Sequence, residues 1–302
     1  SVSAFLLNRS SDLAIKGLKA DWEGYINGGK IRIITTGGLY YSNGTQESHN
    51  YTGNTDNLDD NYTSSPKGIK IGTKNEHGVL TITDGDIMVR TSGNNAEGIE
   101  SKGTLDITGG TVLVSAHDDA INSSGDLTIS GGTVMAVGTN NDGIDANGNM
   151  YLKGGTLIAM GASGAETGID IDEQHKLYIT GGNIFGIGGR VDGSVGSTSQ
   201  AIICTTGSVQ ANGTVTVKSG DTTLATFTMP PYSYAHGTIM ISAPGLSSGT
   251  SYTVNLGSSS ISATASNTIS GGGMPGGGGP GGGGPGGNQG GSSQQLVVYT
   301  TS

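Results

Sequence analysis

A glycine corner that returns at a nearly fixed interval constrains this chain more than any other feature. Five segments share one frame: LTITDGDIMV (80–89), LDITGGTVLV (105–114), LTISGGTVMA (127–136), MYLKGGTLIA (150–159) and LYITGGNIFG (177–186). Anchored on Gly85, Gly110, Gly132, Gly155 and Gly182, the steps are 25, 22, 23 and 27 residues. Self-similarity at this period is the signature of stacked structural repeats. A leucine-rich repeat would need a regular leucine and asparagine pattern, and a glycine-rich nine-residue repeat a far shorter spacing.

Within each step apolar and polar residues alternate on both sides of the glycine. Leu105 and Ile107 flank Asp106, and Val112 and Val114 follow the corner. Alternation of this kind turns one face inward. A third, very short apolar piece is centred on Ile99 and its equivalents. Three short strands per repeat predict an all-β chain, a right-handed single-stranded parallel β-helix. Its stacked columns would be Leu80, Leu105, Leu127, Met150, Leu177 and Ile99, Ile121, Ile144, Ile169, Ile202. Glycine suits the corner because a positive φ costs it little.

The repeat frames the domain plan. Residues 1–207 are expected to form the β-helix, interrupted by a polar insertion at 40–66. That insertion carries Tyr40, Tyr41, Tyr51, Tyr62 and an acidic run, Asp56, Asp59 and Asp60. Before it, Lys16-Gly17-Leu18-Lys19 echoes Lys67-Gly68-Ile69-Lys70 after it. Past the last repeat, residues 208–270 read as a small antiparallel β cap over the open end. Residues 271–292 are expected to be a Gly/Pro-rich linker or loop, and 293–302 a terminal strand. The partly apolar start, Val2 to Leu7, suggests that further residues precede it.

Charge narrows the partners. The net charge is −10 and no basic cluster exists, which excludes binding that rests on neutralising nucleic-acid phosphates. No apolar run is long enough to span a membrane. The single cysteine, Cys204, allows no internal disulfide and reads as a small buried apolar residue. A monomer is expected.

The short piece of each repeat carries a second pattern: Glu97-Gly98-Ile99-Glu100, Asp119-Ala120-Ile121-Asn122, Asp142-Gly143-Ile144-Asp145 and Thr167-Gly168-Ile169-Asp170. Asp118, Asn141 and Glu166 precede it, and Asp172 follows the last. One such turn would be an ordinary solvated turn. Four in register would stack carboxylates about 4.8 Å apart, where like charges repel. A hard divalent cation offsets this, and Ca²⁺ takes six to eight oxygens of these types. The candidate ligands are therefore Glu97, Glu100, Asp118, Asp119, Asn122, Asn141, Asp142, Asp145, Glu166, Asp170 and Asp172. The five histidines are too scattered for a zinc site.

These corners, Lys67-Gly68-Ile69-Lys70, the recurring Gly-Gly-Thr, the C-terminal β region and the GGGMPGGGGPGGGG tract together resemble a bacterial carbohydrate-binding parallel β-helix family. That family includes polygalacturonate-binding, calcium-binding members. The resemblance implies bound Ca²⁺, an acidic polysaccharide partner, no cleavage, and an extracellular or cell-surface location. Tyr40, Tyr41, Tyr51, Tyr62, Arg90 and Arg190 are then candidates for ligand contact. Two alternatives stay open. A polysaccharide lyase or hydrolase would need a base beside the metal, for which Arg90 and Arg190 are candidates. A surface adhesin or scaffold would need neither.

Overall fold

A computed structural model describes residues 16–43, 45, 47–48, 63–73 and 78–269. Tyr51, Tyr62, the acidic run 56–60, the Gly/Pro tract and the expected terminal strand lie outside these residues. The described chain is all-β, and its parallel pairing places equivalent residues of successive repeats side by side. One sheet runs in the order Lys16–Ala20, Lys67–Ile71, Glu97–Ser101, Ile121–Ser123, Ile144–Ala146, Ile169–Ile171. Ile69, Ile99, Ile121, Ile144 and Ile169 are in register across it, and each is at most 5% exposed. Ile202 leaves the expected column, because Ile202–Val209 pairs antiparallel with Tyr234–Ser242.

The column Leu80, Leu105, Leu127, Met150, Leu177 is in register as the period requires. All five side chains are essentially buried, so truncating one to Ala would cost about 2–5 kcal/mol. The anchor glycines all have positive φ, from 77° to 125°. At Gly110 a Cβ would also stand 2.8 Å from the backbone of Gly85. The corner therefore demands glycine for conformation and for close approach of the neighbouring repeat.

The expected β-helix of three strands per repeat is not what forms. The strands Leu127–Ile129, Thr104–Ile107, Val79–Thr91, Thr111–Ala116, Thr133–Gly138 and Met150–Met160 pair in that order. Met150–Met160 then pairs back onto Leu127–Ile129. By its hydrogen bonding this is a closed barrel of six parallel strands, with further sheets around it, and not a solenoid. The physical reason lies at the glycines. In Val79–Thr91 and Met150–Met160 the chain runs through the corner as one strand of 13 or 11 residues. Each long strand bonds the shorter strands of its neighbours on both flanks of the glycine, which closes the ring.

The C-terminal region makes two contacts. Tyr234–Ser242 pairs antiparallel with Leu177–Gly188 and ends the parallel run. A four-stranded antiparallel sheet, in the order Thr222–Thr228, Thr214–Ser219, Ser251–Leu256, Ser259–Thr264, belongs to a second core. That core includes Val137, Ile158, Met160, Phe185 and Ile187. These residues point away from the first core, so the C-terminal sheet covers the outer flank of the repeats. Phe185 and Phe227 meet there with ring centroids 5.6 Å apart.

Candidate functional site

The parallel register turns the short pieces into two rows of polar side chains on the outer face of the six-stranded sheet. One row reads Lys16, Lys67, Glu97, Asp119, Asp142, Thr167, and the other Lys19, Lys70, Glu100, Asn122, Asp145, Asp170. The two ends of these rows are chemically different.

At the N-terminal end opposite charges stack. Lys67 pairs with Glu97 and lies 3.8 Å from Glu100; Lys70 and Lys102 also pair with Glu100. Lys67 and Glu100 are almost fully buried. Burial alone would push the Glu100 carboxyl up, but Lys67, Lys102 and Lys70 outweigh it and hold the group at about 2. Burial raises Glu97 in spite of Lys67. Its Oε2 has no hydrogen-bond partner among the described residues.

Beyond Glu100 no lysine follows in the rows. Asn122 Nδ2 donates to Asp145 Oδ2 at 2.7 Å, and Asn141 Nδ2 donates to Asp118 Oδ1 at 2.9 Å. Asp119 Oδ1 accepts the Asp142 N–H at 3.0 Å, and Asp142 Oδ1 accepts the Thr167 N–H. These two carboxylates thus tie each repeat to the next through its backbone. Asp145 and Asp170 stand directly opposite each other on adjacent strands. Burial, then Asp118, Asp145 and Glu97, raise Asp119 to about 8. Burial raises Asp142 to about 7, with Asp170 and Glu166 adding to it, although the Thr167 N–H pulls the other way. Burial and Asp170 raise Asp145 to about 6. Asp170 is raised by burial and then by Asp192, and Glu166 by burial against the pull of Arg190.

The acids expected to hold Ca²⁺ therefore fall into distinct settings. Glu97 and Glu100 are matched by lysines. Asp118 takes an amide donor, and Asn122 and Asn141 act as donors. Asp172 Oδ1 accepts the Gln174 N–H at 2.9 Å and lies 3.4 Å from His175 Nδ1. Among the described residues, no three Asp, Glu, His or Cys side chains converge as a ready-made metal cluster. The donors run along rows, one strand apart, and their all-oxygen chemistry suits a hard cation.

The remaining candidates are dispersed. Tyr40 is half-buried with its hydroxyl 3.3 Å from Glu47 Oε1, and Tyr41 is buried. Trp22 and Tyr25, at 61% and 53% exposure, present more aromatic surface. Arg90 and Arg190 are not brought together. Arg90 is half-buried in a row that continues through Ser115, Val137, Met160 and Ile187. Arg190 lies past the end of that row, pairs with Asp192 at 3.1 Å and bridges to Thr167.

The lysines that neutralise Glu97 and Glu100 were missed by sequence reasoning. Lys67-Gly68-Ile69-Lys70 shares its frame with Glu97-Gly98-Ile99-Glu100, and that frame was the available signal. A second missed group is Tyr151 and Tyr178, adjacent in register on another face, with rings stacked at 5.0 Å and 10°.

The all-β framework thus sets polar and aromatic side chains in rows at strand spacing. Residues 10–139 and 118–279 each match the sequence model of a family described as carbohydrate-binding domain-containing protein. The matches cover well over half of the chain, and the chain belongs to that family. No curated protein and no solved structure matches it.

Proposed function

We propose that the protein is a non-catalytic carbohydrate-binding protein that takes an acidic polysaccharide, such as polygalacturonate, through Ca²⁺ at the C-terminal end of the acidic rows. The observation that carries this reading is the absence of any row lysine opposite Asp119, Asp142, Asp145 and Asp170, whose carboxyls are all raised by burial and by neighbouring acids. Such a row favours protons or cations. Asp142, Asp145 and Asp170 would hold the ion, with Glu166 and Asp172 nearby. Ca²⁺ supplies positive charge and coordination positions that uronate carboxylates can share with the protein. A net charge of −10 makes direct binding of a polyanion unfavourable without such a bridge. An extracellular or cell-surface location is part of the same reading, since Ca²⁺ and polyuronates are available there.

The test is retention on polygalacturonate with Ca²⁺ and with chelator, alongside an assay for unsaturated product. Ca²⁺-dependent retention without product is expected. The double variant Asp142→Asn with Asp145→Asn should lose most of the Ca²⁺-dependent gain in both retention and Tm. Retention and Tm that ignore the chelator would refute the metal-bridged reading, and product would replace binding by catalysis.

A further inference from the structure

We propose that the protein has a second sugar subsite, independent of metal, in which an uncharged pyranose ring packs against Tyr151. It rests on membership of the carbohydrate-binding family and goes beyond the Ca²⁺-bridged reading. The site lies on the outer face of the strand segments that precede the glycine corners. There one row reads Tyr25, Thr81, Asp106, Thr128, Tyr151, Tyr178 in register. Met150 and Leu152 on either side of Tyr151 are buried, so the tyrosine points outward.

One face of Tyr151 is covered by a neighbouring ring. Its ring stacks on Tyr178 with centroids 5.0 Å apart and planes 10° from parallel. Tyr178 is buttressed in turn on its far side. Segment 194–196 bonds to Leu177, and a Cβ at Gly196 would fall 2.3 Å from Tyr178 Cε1. Glycine there lets backbone lie flat against the ring. The opposite face of Tyr151 looks toward Thr128, a short side chain. Lys153 Nζ is 5.0 Å from the Tyr151 centroid. Two rings stacked this closely leave no room for an ammonium between them, so Lys153 sits over the outer face. Lys153 is exposed, and an arriving ligand can displace it at small cost.

The surroundings suit a sugar. An aromatic face packs against the apolar C–H face of a pyranose, and the sugar's hydroxyls then need polar partners at the rim. Asp126, Asn149 and Lys153 provide them. Asp126 Oδ1 accepts the Asn149 N–H at 2.9 Å and Asn149 Oδ1 accepts the Lys176 N–H at 3.1 Å, which fixes both side chains. The Asp126 carboxylate is close enough to act on the Tyr151 phenol, whose pKa is raised by desolvation and by that charge. One carboxylate and one ammonium beside the ring cancel, which favours an uncharged sugar over a uronate. Beyond Thr128 the row continues over Asp106 and Thr81 to Tyr25, four strand steps or roughly 19 Å away. Short side chains between two tyrosines leave a trough for an oligosaccharide.

The experiment titrates the full chain, in chelator, with soluble neutral oligosaccharides of xyloglucan and galactan. Wild-type protein should bind at least one of them. Tyr151→Ala should weaken that binding roughly ten-fold or more. Thr128→Arg, which fills the open face and leaves Tyr151 in place, should do the same and covers the case in which Tyr151→Ala fails to fold. Neutral binding that is unchanged in a folded Thr128→Arg or Tyr151→Ala variant overturns the subsite. So does Ca²⁺-dependent binding of polygalacturonate with no neutral binding in chelator. If wild-type protein binds no glycan under any condition, the carbohydrate reading fails first and takes the subsite with it.

Discussion

The two ends of the six-stranded parallel sheet solve one electrostatic problem differently. Parallel in-register pairing forces equivalent residues of successive repeats to about one strand spacing, and charged residues at those positions must answer one another. At the N-terminal end Lys67, Lys70 and Lys102 answer Glu97 and Glu100 within the protein. At the C-terminal end Asn122 and Asn141 donate amides. Past them, Asp145 faces Asp170 with no lysine in the row, and Arg190, bridged to Thr167 at the far end, is paired with Asp192. The same backbone ladder thus yields a closed, self-neutralised segment and an open, proton- and cation-hungry one. A stack of acids does not imply a metal by itself; the sign of the next residue in register decides.

The largest expected effect comes from breaking the closed end. Lys67 is 3% exposed, and Lys67→Met would leave Glu97 buried without its ion pair. Removing one partner of a buried pair costs about 3–5 kcal/mol. Urea denaturation should report a loss of that order, and Ca²⁺ should not restore it. Calcium rescue of Lys67→Met would show that the rows take a cation along their whole length, and the contrast between the ends would vanish.

A pH titration in chelator should separate the ends next. Asp119, Asp142 and Asp145 have folded pKa values raised to about 8, 7 and 6. A raised carboxyl stabilises the fold below its unfolded pKa, near 4, and that contribution is lost as pH rises through the folded value. Metal-free protein should therefore lose stability between pH 4 and pH 8, on the order of 2 kcal/mol or several degrees in Tm. Glu100, held at about 2, acts in the opposite sense. Its contribution is present above the unfolded glutamate pKa and fades as pH falls toward 2. Added Ca²⁺ should flatten the alkaline loss and leave the acid limb unchanged. A Tm that holds level from pH 4 to pH 8 without metal would mean that the C-terminal carboxylates are neutralised some other way.

Much of this was legible in the sequence, and the rest was hidden for identifiable reasons. The buried columns through Leu105 and Ile121 followed from alternation and period, because side-chain direction in a strand depends only on parity. The corner glycines were legible from the same frame. The number of strands per repeat was not. Whether Gly85 breaks a strand or is run through depends on hydrogen bonds to neighbours that the sequence does not display, and in Val79–Thr91 the chain runs through. The lysine partners of Glu97 and Glu100 were hidden by the insertion at 40–66. It separates Lys16 from Lys67 and sets both apart from the regular repeats, so Lys67 read as an echo of Lys16 and not as a neighbour of Glu97. Tyr151 and Tyr178 each looked unremarkable alone, since their stacking exists only across the register.

The smallest effect probes the boundary between the two ends. Asn122 lies in register between Glu100 and Asp145 and donates its amide to Asp145 Oδ2 at 2.7 Å. Asn122→Asp removes that donor and sets a fourth carboxylate in a row that then runs unbroken from Glu100 to Asp170, one strand spacing from each neighbour. In chelator near pH 7 the change should cost about 1 kcal/mol, from the lost hydrogen bond and the added repulsion. In Ca²⁺ the new oxygen donors should recover that loss, so the Ca²⁺-induced rise in Tm should exceed that of the wild-type protein. Scanning fluorimetry with and without metal reads both terms in one experiment. If the cost appears and Ca²⁺ recovers none of it, the row is acidic without being a cation site. Asn122 would then mark the end of charge compensation and not the start of a metal-binding stretch.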